Sequence, residues 1–197
     1  MTRKESTDKR IGDLLDAALL EFVEKGYENT SLESVAMRAG LTKGGLYYHF
    51  EGKEDLLIRA NQRFMEPVAR LMEEAEAATS AADGLSAYIA RYLGYWTTRP
   101  RELSFFFLSM TKILEKKELW WIFQEYTAST TSFLERIYRK GIAAGEFEAF
   151  PIRGVAVALM AALDGVVAYL VADSAFSLRD TISDFIETFV RAHQGGR

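Results

Sequence analysis

Apolar residues recur near the start of the chain with the spacing of a one-sided helix. Between residues 8 and 25 they stand at Ile11, Leu14, Leu15, Ala18, Leu19, Phe22 and Val23. Positions three and four apart share one face of a helix, so this run predicts an amphipathic helix that Gly26 ends.

A short second helix is predicted over "NTSLESVAMRAG", residues 29–40. Thr30 or Ser31 can cap its start, and Thr30 with Glu33 has the spacing of a capping box. Gly40 can supply the left-handed residue that ends the helix.

A third helix is predicted over residues 43–49, with Thr42 as its cap and with Leu46 and Phe50 buried. Two short helices joined by a tight turn that contains glycine make a helix-turn-helix. The long first helix is then the scaffold on which this pair packs.

The rest of the chain predicts helices that begin near residues 53, 84, 101, 117, 151 and 178. Pro67 is expected to kink or break the first of them, because proline removes a helical hydrogen bond. We find no strand signal. The sequence therefore predicts an all-α fold of about nine helices, with a three-helix head at 1–50 and a larger helical domain at 51–197.

The stretch "LTKGGLYYHF", residues 41–50, combines poor helix formers with side chains suited to making contacts. Glycines let a backbone approach phosphates closely, and hydroxyl, ammonium and aromatic groups suit phosphate oxygens and the thymine methyl. The alternative is that Tyr47 and Tyr48 are core aromatics. Leu46 and Phe50 point one way in a helix, however, and the two tyrosines cannot both follow them.

Residues 22–57, "FVEKGYENTSLESVAMRAGLTKGGLYYHFEGKEDLL", resemble the DNA-binding head of the bacterial tetracycline-repressor (TetR) family. The resemblance implies a homodimer that binds a palindromic operator and usually represses transcription. It also implies that a small molecule in the larger domain shifts the long helix from residue 53 and spreads the two heads. The predicted DNA-binding residues are Arg3, Lys4, Thr30, Ser31, Thr42, Lys43, Gly44, Gly45, Tyr47, Tyr48, His49 and Lys53.

Charge alone argues mildly against a nucleic-acid partner, since the net charge is −4 and the pI is about 5.4. Residues 1–60 hold nine Lys and Arg against eleven Asp and Glu. The basic groups cluster in the N-terminal arm, the third helix and the start of the fourth, so we expect local clustering to act on DNA. Glu33 stands near this surface and could cap its helix, accept from a cytosine amino group or repel a phosphate.

The helix predicted over residues 151–172 carries small residues on adjoining faces, which allow close packing with another helix. By the family resemblance it forms a four-helix bundle with the last helix and their mates in a second copy; the alternative is a helix buried within its own chain. The predicted dimer interface comprises Ala158, Ala161, Ala162, Gly165 and Ala168.

The middle helices are rich in aromatic residues and predict a site for a hydrophobic or aromatic effector, although such residues can also form a core. Asp164 in the next helix either bonds across the dimer interface or reaches the ligand, because a buried carboxylate needs a partner. The predicted ligand-binding residues are Tyr92, Trp96, Phe106, Met110, Trp121, Tyr126 and Asp164.

Other functional classes receive little support from the sequence. The two histidines, His49 and His193, stand far apart, and there is no cysteine and no phosphate-binding glycine loop, so we expect neither an enzyme nor a metal or cofactor site. The N-terminus lacks the pattern of a signal peptide, and Asp164 makes a membrane span at 154–172 unfavourable; we expect a cytoplasmic protein. The alternative function is a helical carrier of apolar ligands that does not bind DNA.

Overall fold

In a computed structural model of the chain, residues 3–195 are described, apart from the side chains of residues 3–6. These residues form nine α-helices and two 3₁₀ turns, the latter at Lys117–Leu119 and Arg191–His193, and contain no strand. The helices are α1 Arg3–Asn29, α2 Leu32–Arg38, α3 Lys43–Tyr47, α4 Lys53–Ala77, α5 Ala81–Thr97, α6 Pro100–Glu115, α7 Trp120–Ala143, α8 Ile152–Ala172 and α9 Leu178–Phe189. The all-α prediction is confirmed.

Two helix boundaries differ from the predictions in an instructive way. Gly26 lies inside the span of α1 but has φ 78° and ψ 161°, so the regular part of α1 does end at the predicted glycine. The prediction that Pro67 breaks its helix is wrong, because α4 continues through Pro67 to Ala77.

The helices group into two compact units. One comprises the described part of Met1–Glu66 together with Arg101–Lys117, and the other comprises Pro67–Pro100 and the described part of Glu118–Arg197. The division falls inside α4. The sequence-based boundary at residue 50, drawn by function, stays a prediction.

The core of the first unit joins α1 to the helix-turn-helix. Leu14, Phe22 and Leu46 are fully enclosed, and the Phe105 ring of α6 stacks on Phe22 with 6.1 Å between ring centroids. Burying side chains of this size supplies most of the stability of such a unit. The core therefore holds α2 and α3 against α1 as one body.

In the second unit, α5 packs against α7, α8 and α9. Tyr88 of α5 meets Phe133 of α7 edge to face at 4.8 Å, and Leu159 and Leu163 of α8 are buried. Glu146 closes the start of α5, since its carboxylate accepts from the backbone N–H groups of Ala81 (3.0 Å) and Ala82 (2.9 Å).

Helix α8 is long and apolar enough to cross a membrane, with a mean hydropathy of 2.2 over 18 residues, of which 22% are buried. It is the one such helix among the described residues. One helix of this kind is a weak indication, because the core helices of soluble proteins pass the same test.

Candidate nucleic-acid interface and ligand-binding residues

The turn between α2 and α3 has the geometry that the sequence predicts. Gly40 adopts φ 69°, and Leu41 N–H donates to the Ala36 carbonyl at 2.9 Å. Thr42 caps α3, because its hydroxyl oxygen accepts from Gly45 N–H at 3.2 Å. These local bonds place α3 on the surface with one side buried.

The two faces of α3 differ sharply in exposure. Leu46 and Phe50 are buried, whereas Tyr48 is 82% exposed and Tyr47 is 51% exposed. The alternative prediction, that Tyr47 and Tyr48 are core aromatics, is therefore wrong. Beside them Gly44 is exposed, and a Cβ added there would meet no atom within 4 Å, so the backbone is open to a close approach.

The cation of α3 is already paired with an acid. The Lys43 ammonium forms an ion pair with the Glu33 carboxylate of α2, and both side chains are about half exposed. The hydrogen bond from Lys43 lowers the pKa of Glu33 and keeps it ionised. Ser31 is the N-cap of α2, so the predicted Thr30–Glu33 capping box is wrong, although the Glu33 carboxylate also accepts from its own backbone N–H in the first turn of the helix.

Thr30 is buried, and its hydroxyl donates to the carbonyl oxygens of Glu21 (3.0 Å) and Gly26 (2.8 Å). The predicted Thr30 cap is therefore wrong, since the hydroxyl holds the end of α1 instead. Ser31 stays on the surface, where its hydroxyl oxygen accepts from Ser34 N–H at 3.1 Å.

Lys53, at the start of α4, contacts the end of α1. Its ammonium donates to the Tyr27 carbonyl at 2.8 Å and to the Glu28 carbonyl at 3.3 Å, and lies 4.5 Å from the centroid of the Tyr27 ring. This arrangement satisfies carbonyls at a helix end and ties α4 to α1. Its role as a DNA contact stays a prediction.

The C-terminal end of α3 is held by a residue absent from the predicted set. Arg59 of α4 donates to the His49 carbonyl at 2.6 Å and stacks over the Phe50 ring at 4.4 Å. The His49 ring meets Tyr48 edge to face at 4.9 Å. Arg59 thus fixes the segment that follows α3. Its contact with His49 spans ten residues of the chain, and helical periodicity does not reveal it.

A buried ion-pair network joins α1 and α2 and was not among the features predicted from the sequence. The Glu21 carboxylate is buried and accepts from Lys25 at 2.6 Å and from Arg38 at 2.7 Å. Burial alone raises the pKa of Glu21, but hydrogen bonds from Lys25, Ser34 and Arg38 outweigh it and hold the pKa at about 2. One signal was available: Glu21 stands seven residues after Leu14, on the apolar face of α1.

The predicted arm residues Arg3 and Lys4 lie in the first turn of α1, and their side chains fall outside the described residues. Within the described part of the chain no group of three or more metal-binding side chains occurs.

Three of the predicted ligand-binding residues come together in the second unit. The hydroxyls of Tyr92 (α5) and Tyr126 (α7) both donate to Oδ1 of Asp164 (α8), at 2.6 and 2.7 Å. Burial raises the pKa of Asp164, and the two tyrosine hydrogen bonds partly oppose this. Burial beside this carboxylate also raises the pKa of Tyr126, so both tyrosines stay protonated donors.

The other predicted ligand-binding residues are dispersed. Trp96 is buried on α5 with its ring 6.3 Å from that of Tyr92, and Trp121 of α7 is about half exposed. Phe106 and Met110 are buried in the first unit. Their assignment to a ligand site stays a prediction.

Small residues on α8 form an exposed face. Ala158, Ala161 and Gly165 are exposed, and Ala162 and Ala168 are half-buried. Val157 and Tyr169 extend this apolar surface. The interpretation of α8 as a helix buried within its own chain is wrong for this face.

Comparison with known proteins identifies the family of the helix-turn-helix segment. Residues 14–60 match the model of the bacterial regulatory proteins of the tetR family. An uncharacterised helix-turn-helix transcriptional regulator of Bacillus subtilis, YfiR, is 26% identical over 172 residues, which are 83% of this chain and 81% of its own. Other relatives match over less than half of their own length.

Solved structures share the fold across almost the whole chain. SmeT, the repressor of the Stenotrophomonas maltophilia multidrug efflux pump SmeDEF, matches with a TM-score of 0.76 and 23% identity over 94% of this chain and 90% of its own. The regulator FadR from Bacillus subtilis, in complex with stearoyl-CoA, matches with a TM-score of 0.74 and 22% identity, covering 90% and 96%.

The matched family model coincides with the helix-turn-helix and with the start of α4, where the exposed tyrosines and the open glycine lie. Residues 14–60 therefore form the DNA-binding domain of the TetR family of bacterial transcriptional regulators, and most of the chain is similar to a regulator with a helix-turn-helix.

Proposed function

We propose that this chain is a cytoplasmic repressor that binds a palindromic operator as a homodimer and leaves it when a small hydrophobic or aromatic effector binds. The observation that carries the proposal is the outer face of α3, where Tyr47 and Tyr48 project beside the open backbone of Gly44. A short helix with its N-terminal residues exposed suits docking in the major groove.

Different residues of the proposed DNA interface have different roles. Tyr47 and Tyr48 offer ring faces and hydroxyls to base edges and phosphates, and the exposed α3 backbone from Thr42 to Gly44 lets a phosphate come close. Gly45, Ser31, His49, Lys53 and the basic arm residues Arg3 and Lys4 complete the proposed contacts. Thr30 acts beneath this surface, because its buried hydroxyl positions the end of α1.

The exposed face of α8 supports a homodimer. A largely apolar helix with only 22% of its most apolar window buried leaves surface that water does not favour, and a second copy would cover it. Gly165 has no atom within 4 Å of the position that a Cβ would take, so another helix could approach closely there.

The effector proposal draws on the aromatic residues of α5 and α7 and on the two solved relatives. FadR was solved with stearoyl-CoA, and SmeT represses a multidrug efflux pump. The ligand of FadR and the role of SmeT both support the proposal of an apolar effector for this chain. The alternative of a carrier without DNA binding is not favoured, because the recognised family model covers the helix-turn-helix itself.

The test is a selection of random duplex DNA on the purified protein at a stated salt concentration, since affinities for DNA depend strongly on salt. An enriched palindrome with half-sites about one helical turn apart supports the proposal. Lys117→Ala, which removes an exposed cation outside α3, is the control and should enrich the same sequence. No enrichment from folded, dimeric protein would contradict operator binding.

A further inference from the structure

Asp164 is a half-buried carboxylate that accepts hydrogen bonds from two tyrosine hydroxyls. Both tyrosine hydroxyls donate to Oδ1, at 2.6 and 2.7 Å. No Lys, Arg or His among the described residues lies within ion-pair distance of it. Acids partly removed from water are normally paired with a cation or hydrogen-bonded, and Asp164 has hydrogen bonds but no cation partner among the described residues.

Other aromatic rings pack beside Tyr92, one of the two tyrosines bonded to Asp164. Tyr88, Tyr92 and Trp96 follow one another at helical spacing on α5, with centroids 5.8 and 6.3 Å apart, and Phe133 of α7 packs on Tyr88 at 4.8 Å. Ring faces attract cations through their quadrupole, and more strongly where water is excluded. A carboxylate backed by rings and tyrosine hydroxyls is a chemical environment for a positive charge on an apolar body.

A purely structural role explains the arrangement less well. Two tyrosines held by a single oxygen could link α5, α7 and α8, but an asparagine would do so without placing a charge among aromatic rings. Burial raises the pKa of Asp164, and a bound cation would favour its ionised form. A protonated ligand N–H would supply the cation that Asp164 lacks among the described residues.

We propose that Asp164, backed by Tyr92 and Tyr126, anchors a cationic effector: a protonated amine carried on a flat aromatic body. The inference rests on the proposed function, and it narrows the effector from apolar molecules in general to organic cations. It predicts discrimination by charge among ligands of one shape. An anionic ligand such as a fatty acid would be disfavoured, because its carboxylate would meet Asp164.

Three probes with the same ring system test this by calorimetry: 1-naphthylmethylamine, 1-naphthalenemethanol and 1-naphthoate. Wild-type protein should bind the amine at least about tenfold more tightly than the alcohol, as expected for a close charge pair, and the naphthoate weakest. Asp164→Asn keeps an acceptor for the tyrosines and should abolish the preference for the amine. Tyr126→Phe keeps the ring and the charge and should retain that preference.

Equal binding of amine and alcohol, or no binding of the amine, overturns the inference. So does an Asp164→Asn protein that binds all three probes as the wild type does but dimerises more weakly in sedimentation, since the carboxylate would then pair across the dimer. Binding of the selected operator is measured on the same samples. Intact operator binding without a preference for the amine defeats this inference alone, whereas loss of operator binding by wild-type protein defeats the proposed function.

Discussion

Replacing the buried Glu21 by glutamine should loosen the packing of α2 on α1 and remove an acid-sensitive contribution to stability. Glu21 has a side chain only 3% exposed and accepts from Arg38 and Lys25. Glutamine keeps the shape but not the charge, so the Arg38 guanidinium would face a neutral amide in a nearly dry site.

The magnitude follows from the pKa of Glu21. The separation between the ordinary value of 4.5 and the folded value of about 2 corresponds to about 3 kcal/mol in favour of the folded state. Because the folded pKa is the lower one, this contribution is complete above pH 4.5 and is lost as the pH falls from 4.5 through 2. Glutamine can still accept one hydrogen bond, so we expect a loss of about 1–3 kcal/mol at pH 7.

Hydrogen exchange of the α2 amides is the most direct assay, since it reports on this helix without assuming that the chain unfolds in a single step. In the wild type, protection of amides such as Ala39 N–H, which donates to the Val35 carbonyl, should fall as the pH drops below 4.5 after correction for intrinsic exchange. In the Glu21→Gln variant, the protection of the same amides should already be lower at pH 7 and should change little below pH 4.5.

Glu24→Gln is the matched control. Glu24 stands on the same helix and contacts the same Arg38, but its side chain is 48% exposed. An exposed ion pair contributes about 0–1 kcal/mol, so this variant should lose much less protection. The assignment of Glu21 as a buried, ionised residue that holds α2 on α1 would be refuted by either of two results. One is an equal loss of amide protection in the two variants, and the other is wild-type protection that does not depend on pH below 4.5.

Three further predictions concern the proposed interfaces. Glu33→Gln should free Lys43, tighten binding to all duplexes alike and steepen the slope of log K against log salt by about 1; an unchanged slope in a salt titration would contradict this. Tyr48→Ala should weaken operator binding by about 1–3 kcal/mol, measured by fluorescence anisotropy, whereas the control Phe107→Ala, at another exposed aromatic residue, should have no effect. Unchanged affinity of the Tyr48→Ala variant would contradict a contact between Tyr48 and DNA. Gly165→Leu should weaken the dimer in sedimentation by overpacking without harming the protomer, where space is open, and a full-strength dimer would place the interface elsewhere.

The helices and their caps were predictable because their causes are local. Apolar residues three and four apart mark a buried face, and Ser31 and Thr42 each bond to a backbone N–H three residues on. Gly40 adopts the left-handed conformation expected at the end of α2. The exposure of Tyr47 and Tyr48 followed from the same geometry, since Leu46 and Phe50 occupy the other side of α3.

Pairings between distant residues were not predictable in this way. The sequence gives no sign that Lys43 and Lys53 have partners. In the folded chain Lys43 pairs with Glu33, and Lys53 binds the end of α1. Thr30 read as a surface cap, but its neighbours in space bury it. Such partners are brought together by packing, which periodicity along one helix does not encode.

The sequence by itself thus determined the all-α fold, the helix-turn-helix and the family of its DNA-binding domain, because these depend on short-range spacing and on a motif within residues 14–60. The tertiary structure alone decided that Tyr92 and Tyr126, 34 positions apart on α5 and α7, share one oxygen of Asp164. Only the packing of α5 on α7 and α8 brings those groups within hydrogen-bonding distance, so the chemistry of the proposed effector site arises from the fold.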